Sequence, residues 1–159
     1  MFKPLKQVDL SLIVLTILAY LGNYFNLPLF FGVDFLFGTI FVWIINYFYG
    51  QYWGLLAGFL ASLCTYFLWG HPWAILIFTL EVIFVNYLYL NKGKNLVIST
   101  IIYWIFLGIP LVIFFYGFLL KVSLNGTVLI LLKQSINGIF NSLIAIILIN
   151  YSSLNLIIK

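Results

Sequence analysis

Asp34, His71, Glu81, Lys133, Gln134, Asn137 and Asn141 fall in or beside long apolar runs, and they are the side chains best equipped for chemistry. Setting such groups against hydrocarbon is costly, so each should face an interior and meet a partner, water or a ligand. Lys133, Asn137 and Asn141 recur every four residues, with Gln134 adjacent, a spacing that places them on one face of a helix. At ~1.5 Å of rise per residue, Asn137 lies roughly 15 Å below a helix end at Thr127, and Glu81 about 14 Å from Pro72. Both then sit near the bilayer midplane. Lys133 lies about one turn higher, within reach of Glu81 if their helices are neighbours.

Three roles are open to this group. Glu81 and Lys133 could form a structural pair while the amides satisfy one another. The group could line a polar pocket, open to the outside, that binds a small ligand. Glu81 could also carry protons. Near the outer surface, Asp34 is expected to start a helix, where a carboxylate is favoured. The Trp69-Gly70-His71-Pro72-Trp73 turn falls on the same side, so Asp34 and His71 could rim the pocket. Trp69 and Trp73 suit an interfacial aromatic belt as well as they suit stacking on a ligand.

Catalytic and metal motifs are missing from this pattern. The chain contains no His-Glu-x-x-His helix, no G-x-S-x-G turn and no phosphate-cradling glycine loop. One histidine, one cysteine and three acids leave most hydrolytic schemes short of parts. A metal site, a cofactor and an enzymatic role are therefore not expected. Cys64 reads as a small buried hydrophobe.

The elements that must position these groups are legible from composition. The chain has 159 residues, 65% hydrophobic and 6% charged, where an ordinary soluble domain is about a quarter charged. It reads as an all-α polytopic membrane helix bundle, a single integral membrane domain over residues 1–159 whose first partner is the lipid bilayer. Six segments follow: Val8–Tyr24, Asp34–Phe48, Tyr52–Trp69, Pro72–Leu90, Asn95–Leu120 and Thr127–Asn150. The first two are short for a full crossing. Gly108-Ile109-Pro110 predicts a kink in the fifth, because proline removes a backbone hydrogen bond and clashes with the preceding turn. Asn91-Lys92-Gly93-Lys94 and Ser123-Leu124-Asn125-Gly126 read as polar turns.

Seven lysines give the chain a net charge of +4. They sit mostly at segment ends rather than on one basic face, so nucleic acid is not an expected partner. With six spans, Lys3, Lys6, Lys92, Lys94 and Lys159 share one side and Lys121 the other, which puts both termini in the cytoplasm. Gly50-x-x-x-Gly54-x-x-x-Gly58-x-x-x-Ser62 forms a ladder of small residues suited to tight helix packing, within the bundle or in a homodimer.

Three strings carry a family resemblance: Leu27-Pro-Leu-Phe-Phe-Gly-Val-Asp-Phe-Leu-Phe-Gly38, Leu68-Trp-Gly-His-Pro-Trp-Ala-Ile-Leu-Ile-Phe-Thr-Leu-Glu81 and Leu131-Leu-Lys-Gln-Ser-Ile-Asn-Gly-Ile-Phe-Asn141. In order and spacing they resemble the N-terminal multi-spanning sensor module of bacterial PAS, histidine-kinase and diguanylate-cyclase signalling proteins. The six-span layout is also loosely similar to the S components of energy-coupling-factor (ECF) vitamin transporters, which capture a small molecule in an outward-facing pocket. Segment one lacks the Ala-x-x-x-Ala pattern by which S components contact their transport partner. The first resemblance implies a sensory input module of the bacterial inner membrane. An outside ligand at Asp34, Trp69, His71, Glu81, Lys133, Gln134, Asn137 and Asn141 would shift helix packing toward a cytoplasmic signalling domain. The second implies the binding component of a small-molecule importer. A structural membrane protein is the remaining expectation.

Overall fold

Asp9 opens the first helix by accepting a hydrogen bond from the Leu12 amide at 2.8 Å, one of the donors that every helix start leaves unpaired. The computed structural model describes residues 7–28, 34–151 and 158. Helix α1 covers Leu10–Tyr24 and leads into a short antiparallel pair, β1 (Leu27–Pro28) with β2 (Asp34–Phe35), Leu27 lying opposite Phe35. Then follow α2 (Gly38–Tyr49), α3 (Gln51–Trp69), α4 (Trp73–Asn91), α5 (Leu96–Leu119) and α6 (Leu124–Tyr151). Helices α3 to α6 are each long and apolar enough to cross a membrane, so the chain is a multi-pass integral membrane protein.

Six spans were expected, the first two of them short, and among the described residues four helices reach crossing length. Helices α1 and α2, of 15 and 12 residues, fall short of the ~20 that a straight crossing takes. Lys3, Lys6 and Lys159, on which the orientation argument leaned, lie outside the described residues, as does Gly32 of the first link. Two further expectations change. Asp34 does not start a helix: it sits in β2, and α2 begins at Gly38. Asn125 and Gly126, expected in a turn, belong to the first turn of α6.

Helices α1, α2 and α3 pack against one another, α4 lies between α3 and α5, and α6 reaches from α2 to α5. Small residues set these distances. A methyl group on Gly58 would lie 2.8 Å from Val82 Cγ2 of α4, and one on Gly54 would strike the Asn46 side chain of α2. Those steps of the glycine ladder are therefore covered inside the bundle. Gly22 and Gly38 bring α1 against the start of α2, where a methyl on Gly22 would meet the Gly38 nitrogen at 3.0 Å. Gly70 closes α3 in the left-handed conformation, φ 70°, which returns its amide to Tyr66 O at 2.8 Å.

Helix α5 widens twice into π-helical turns, Trp104–Gly108 and Ile113–Leu119. The first lies immediately before Pro110, where a kink was expected; it re-spaces backbone groups that proline cannot pair. Each widening also rotates the side chains that follow, and both matter for the site.

Gly38→Ala is predicted to lower stability by about 1–3 kcal/mol, because the added methyl meets Ala19 O and the Asn23 amide. Gly117→Ala, whose nearest foreign atom is 3.7 Å away, should cost little. Thermal unfolding of the two purified variants in detergent checks the contrast.

Candidate functional site

The link between α1 and α2 is non-helical, so its buried backbone groups need partners from elsewhere. Asn137 of α6 supplies them for Leu36: its Oδ1 accepts from Leu36 N at 2.7 Å and its Nδ2 donates to Leu36 O at 2.6 Å. Asn141, one turn on, donates a second bond to Leu36 O at 2.8 Å. Asn23 completes the support by accepting from Gly38 N and donating to Ala61 O, both at 2.9 Å. Two of the amides singled out in the sequence thus act as a clamp on backbone.

The clamp places Asp34 at the edge of a hollow of about 280 Å³. Trp69 and His71 form one wall, at the end of α3 and in the turn that follows. Tyr116 and Leu120 come from the end of α5, Val122 from the α5–α6 turn, and Ile130, Lys133 and Gln134 from α6. Asp34 Oδ2 accepts from Trp69 Nε1 at 3.3 Å, and the Lys133 ammonium lies 4.3 Å from the centre of the Trp69 ring. Trp69 therefore holds the anion at its edge and the cation on its face, the arrangement that its quadrupole favours. The Tyr116 ring meets His71 edge-on at 5.0 Å, and its hydroxyl accepts from Gln134 Nε2 at 3.4 Å.

Two polar atoms in these walls are buried without a hydrogen bond among the described residues: Gln134 Oε1 and His71 Nδ1. Burying an unpaired polar group of this kind costs about 1–3 kcal/mol. Burial holds the His71 imidazole below its ordinary pKa.

Glu81, Asn137 and Asn141 do not reach this hollow. They surround a smaller cavity of about 20 Å³ deeper in the bundle, room for one water-sized group. Glu81 is fully buried, and its Oε1 accepts from Trp104 Nε1 at 3.1 Å. A methyl on Gly138 would lie 2.7 Å from that oxygen, so a glycine is what lets α6 close over the pair. The expected pairing of Glu81 with Lys133 does not occur. Trp104, swung inward at the first wide turn of α5, occupies the place that Lys133 was expected to take.

Of the eight predicted residues, five line the outer hollow and three the inner cavity. Sequence reasoning missed Tyr116, buried in an aromatic run whose helical phase the second wide turn of α5 alters. It also missed Asn23, whose signal was only a lone amide within an apolar helix.

The fold is that of a membrane bundle with one polar hollow at the end where β2, the α3–α4 turn and the α5–α6 turn converge. Among solved structures the chain is similar to a protein described as the S component of a bacterial ECF transporter. The TM-score is 0.59 at 23% identity, over 94% of this chain and 95% of that one. At that identity the likeness establishes shared fold. No family model and no curated protein matches the chain.

Asn137→Leu is predicted to leave the buried Leu36 amide unpaired, at a cost of about 1–3 kcal/mol. Hydrogen exchange at Leu36 should accelerate at least tenfold more than exchange within α3. Stability should also fall as pH drops below about 6.5. In that range the unfolded chain takes up a proton at His71 that the folded chain, with its depressed value, does not. His71→Gln should flatten that limb of a melting-temperature profile against pH.

Proposed function

We propose that this chain is the substrate-binding component of a small-molecule importer in the bacterial inner membrane. The observation that carries the reading is the S-component-like fold over nearly the whole chain, with its polar hollow at one end of the bundle. Lys92 and Lys94 lie at the opposite end from that hollow, which by the positive-inside rule turns the hollow outward. A ligand would enter between β2 and the turn carrying His71, be held by Lys133, Gln134 and Trp69, and be passed on by a separate energising partner. The role is one of binding rather than catalysis. The fold comparison supports this reading over the sensory module that the sequence strings suggested.

Expression of the tagged chain in a bacterial host should co-purify a nucleotide-hydrolysing membrane complex and support uptake of a small molecule. Lys133→Met should leave the complex intact and reduce ligand retention at least tenfold. Isolation with a kinase or cyclase, without uptake, would overturn the proposal.

A further inference from the structure

The inner cavity holds an acid that lacks a counter-charge. Glu81 is 1% exposed and lies about 14 Å along the bundle from Pro72, near mid-depth. Its Oε1 accepts from Trp104 Nε1, a neutral donor. Among the described residues no basic side chain lines the cavity, and none pairs with the carboxylate. Lys133 is engaged elsewhere, over the face of Trp69 in the outer hollow. An ionised carboxylate at such a depth is too costly to leave bare, so it takes either a positive partner or a proton.

The other oxygen of the carboxylate faces the space available for that partner. Glu81 Oε2 has no hydrogen bond among the described residues, and the little surface that Glu81 keeps opens on the cavity. The cavity measures about 20 Å³, above the ~10–15 Å³ that one water requires and far below the size of an organic ligand. Oxygen atoms surround it. The Thr39 hydroxyl lines it without a hydrogen bond among the described residues, and Asn137 Oδ1, which accepts from Leu36 N, has a lone pair to spare. Asn141 Oδ1 is bare in the same wall, though it has no surface of its own. The nitrogens of both amides are committed to Leu36 O, so oxygen is what α6 has left to offer. The non-helical segment at Leu36 also borders the space. Irregular backbone at membrane depth is tolerated where it lines a cavity, and such places are where transporters coordinate small cations.

We infer that the inner cavity binds one monovalent alkali cation, with Glu81 as its counter-charge and Thr39 and Asn137 among its oxygen ligands. One carboxylate balances one positive charge, whereas a divalent ion would carry an unmatched charge into an apolar bundle. Hard cations take oxygen ligands, and no group of three His, Cys, Asp or Glu side chains that would suit a transition metal occurs among the described residues. The ion sits against the clamp on Leu36, so its binding stiffens the segment that positions Asp34. This role is separate from the capture of a substrate in the outer hollow.

The test melts the full chain in lipid nanodiscs in sodium, potassium or N-methyl-D-glucamine chloride at one ionic strength; the last cation is too large for the cavity. Sodium or potassium should raise the melting temperature by about 3 °C or more over the organic cation, saturating with concentration as a ligand of the folded state does. Glu81→Gln keeps an oxygen for Trp104 and removes the charge, so it should melt at one temperature in all three salts. If that variant fails to fold, Thr39→Val carries the test: half-maximal stabilisation should need about threefold more alkali cation, since one ligand oxygen is gone. Identical melting of the unmodified chain in the three salts, or an undiminished alkali response in both variants, would overturn the assignment. So would a carboxylic-acid infrared band, seen in sodium and in potassium chloride at neutral pH and lost in Glu81→Gln, because a proton would then neutralise the carboxylate. None of these results bears on the importer reading, which stands or falls on co-purification and uptake.

Discussion

Leu36 is the residue around which the molecule is organised. A stretch of chain that is not helical carries its polar backbone into the interior of an apolar bundle, and nothing in hydrocarbon can pair with it. Three consecutive amides are satisfied from three directions: Leu36 N by Asn137, Phe37 N by Gly22 O, and Gly38 N by the Asn23 side chain. Asn137 and Asn141 also hold the Leu36 carbonyl, so α6 grips this segment by both of its polar groups. The grip fixes where β2 ends and α2 begins, and with that it fixes Asp34 at the edge of the outer hollow.

Two polar layers result, with different characters. The inner one is small and nearly filled: the amides pair with backbone, Glu81 pairs with Trp104 beneath the bare face of Gly138, and Asn141 Oδ1 alone of the clamp's amide oxygens has no hydrogen bond among the described residues. The outer one is roomy, aromatic-walled and incompletely paired. The many short hydrogen bonds of the inner layer rigidify the core, and the room in the outer layer is what a small molecule could fill. The same helix, α6, serves both layers: Asn137 and Asn141 face the clamp, while Lys133 and Gln134, one turn nearer the surface, face the hollow. Binding and scaffold are thereby coupled through a few residues of one helix.

Much of this was legible in the sequence and some was not. Composition indicated the helical membrane class. Turn chemistry at Gly70–Pro72 and the cap at Asn95, which accepts from Val97 N at 2.9 Å, marked helix ends to within a few residues. The four-residue spacing of Lys133, Asn137 and Asn141 announced one polar face. What the spacing does not encode is depth of partner. Whether Asn137 meets a ligand or a backbone depends on the path of a link more than a hundred residues away in sequence. The Glu81–Lys133 expectation failed for a related reason. It required the helices of Glu81 and Lys133 to be direct neighbours, whereas the Trp104 indole of α5 stands between α4 and α6 and takes the Glu81 carboxylate. Tyr116 was hidden by the second wide turn of α5, since a wheel drawn at 3.6 residues per turn misplaces everything beyond it.

If the hollow bounded by Asp34, Trp69, Lys133 and Gln134 is a place where a small molecule resides, the molecule should travel with the protein. Native mass spectrometry of the chain, released from nanodiscs made straight from the producing membranes, reads this without knowledge of the ligand. A one-to-one adduct of low mass is expected on the intact chain; it should disappear when Trp69 is replaced by alanine and persist in Trp73→Phe. A bare chain under the same gentle release, or an adduct indifferent to Trp69, would refute occupancy of the hollow.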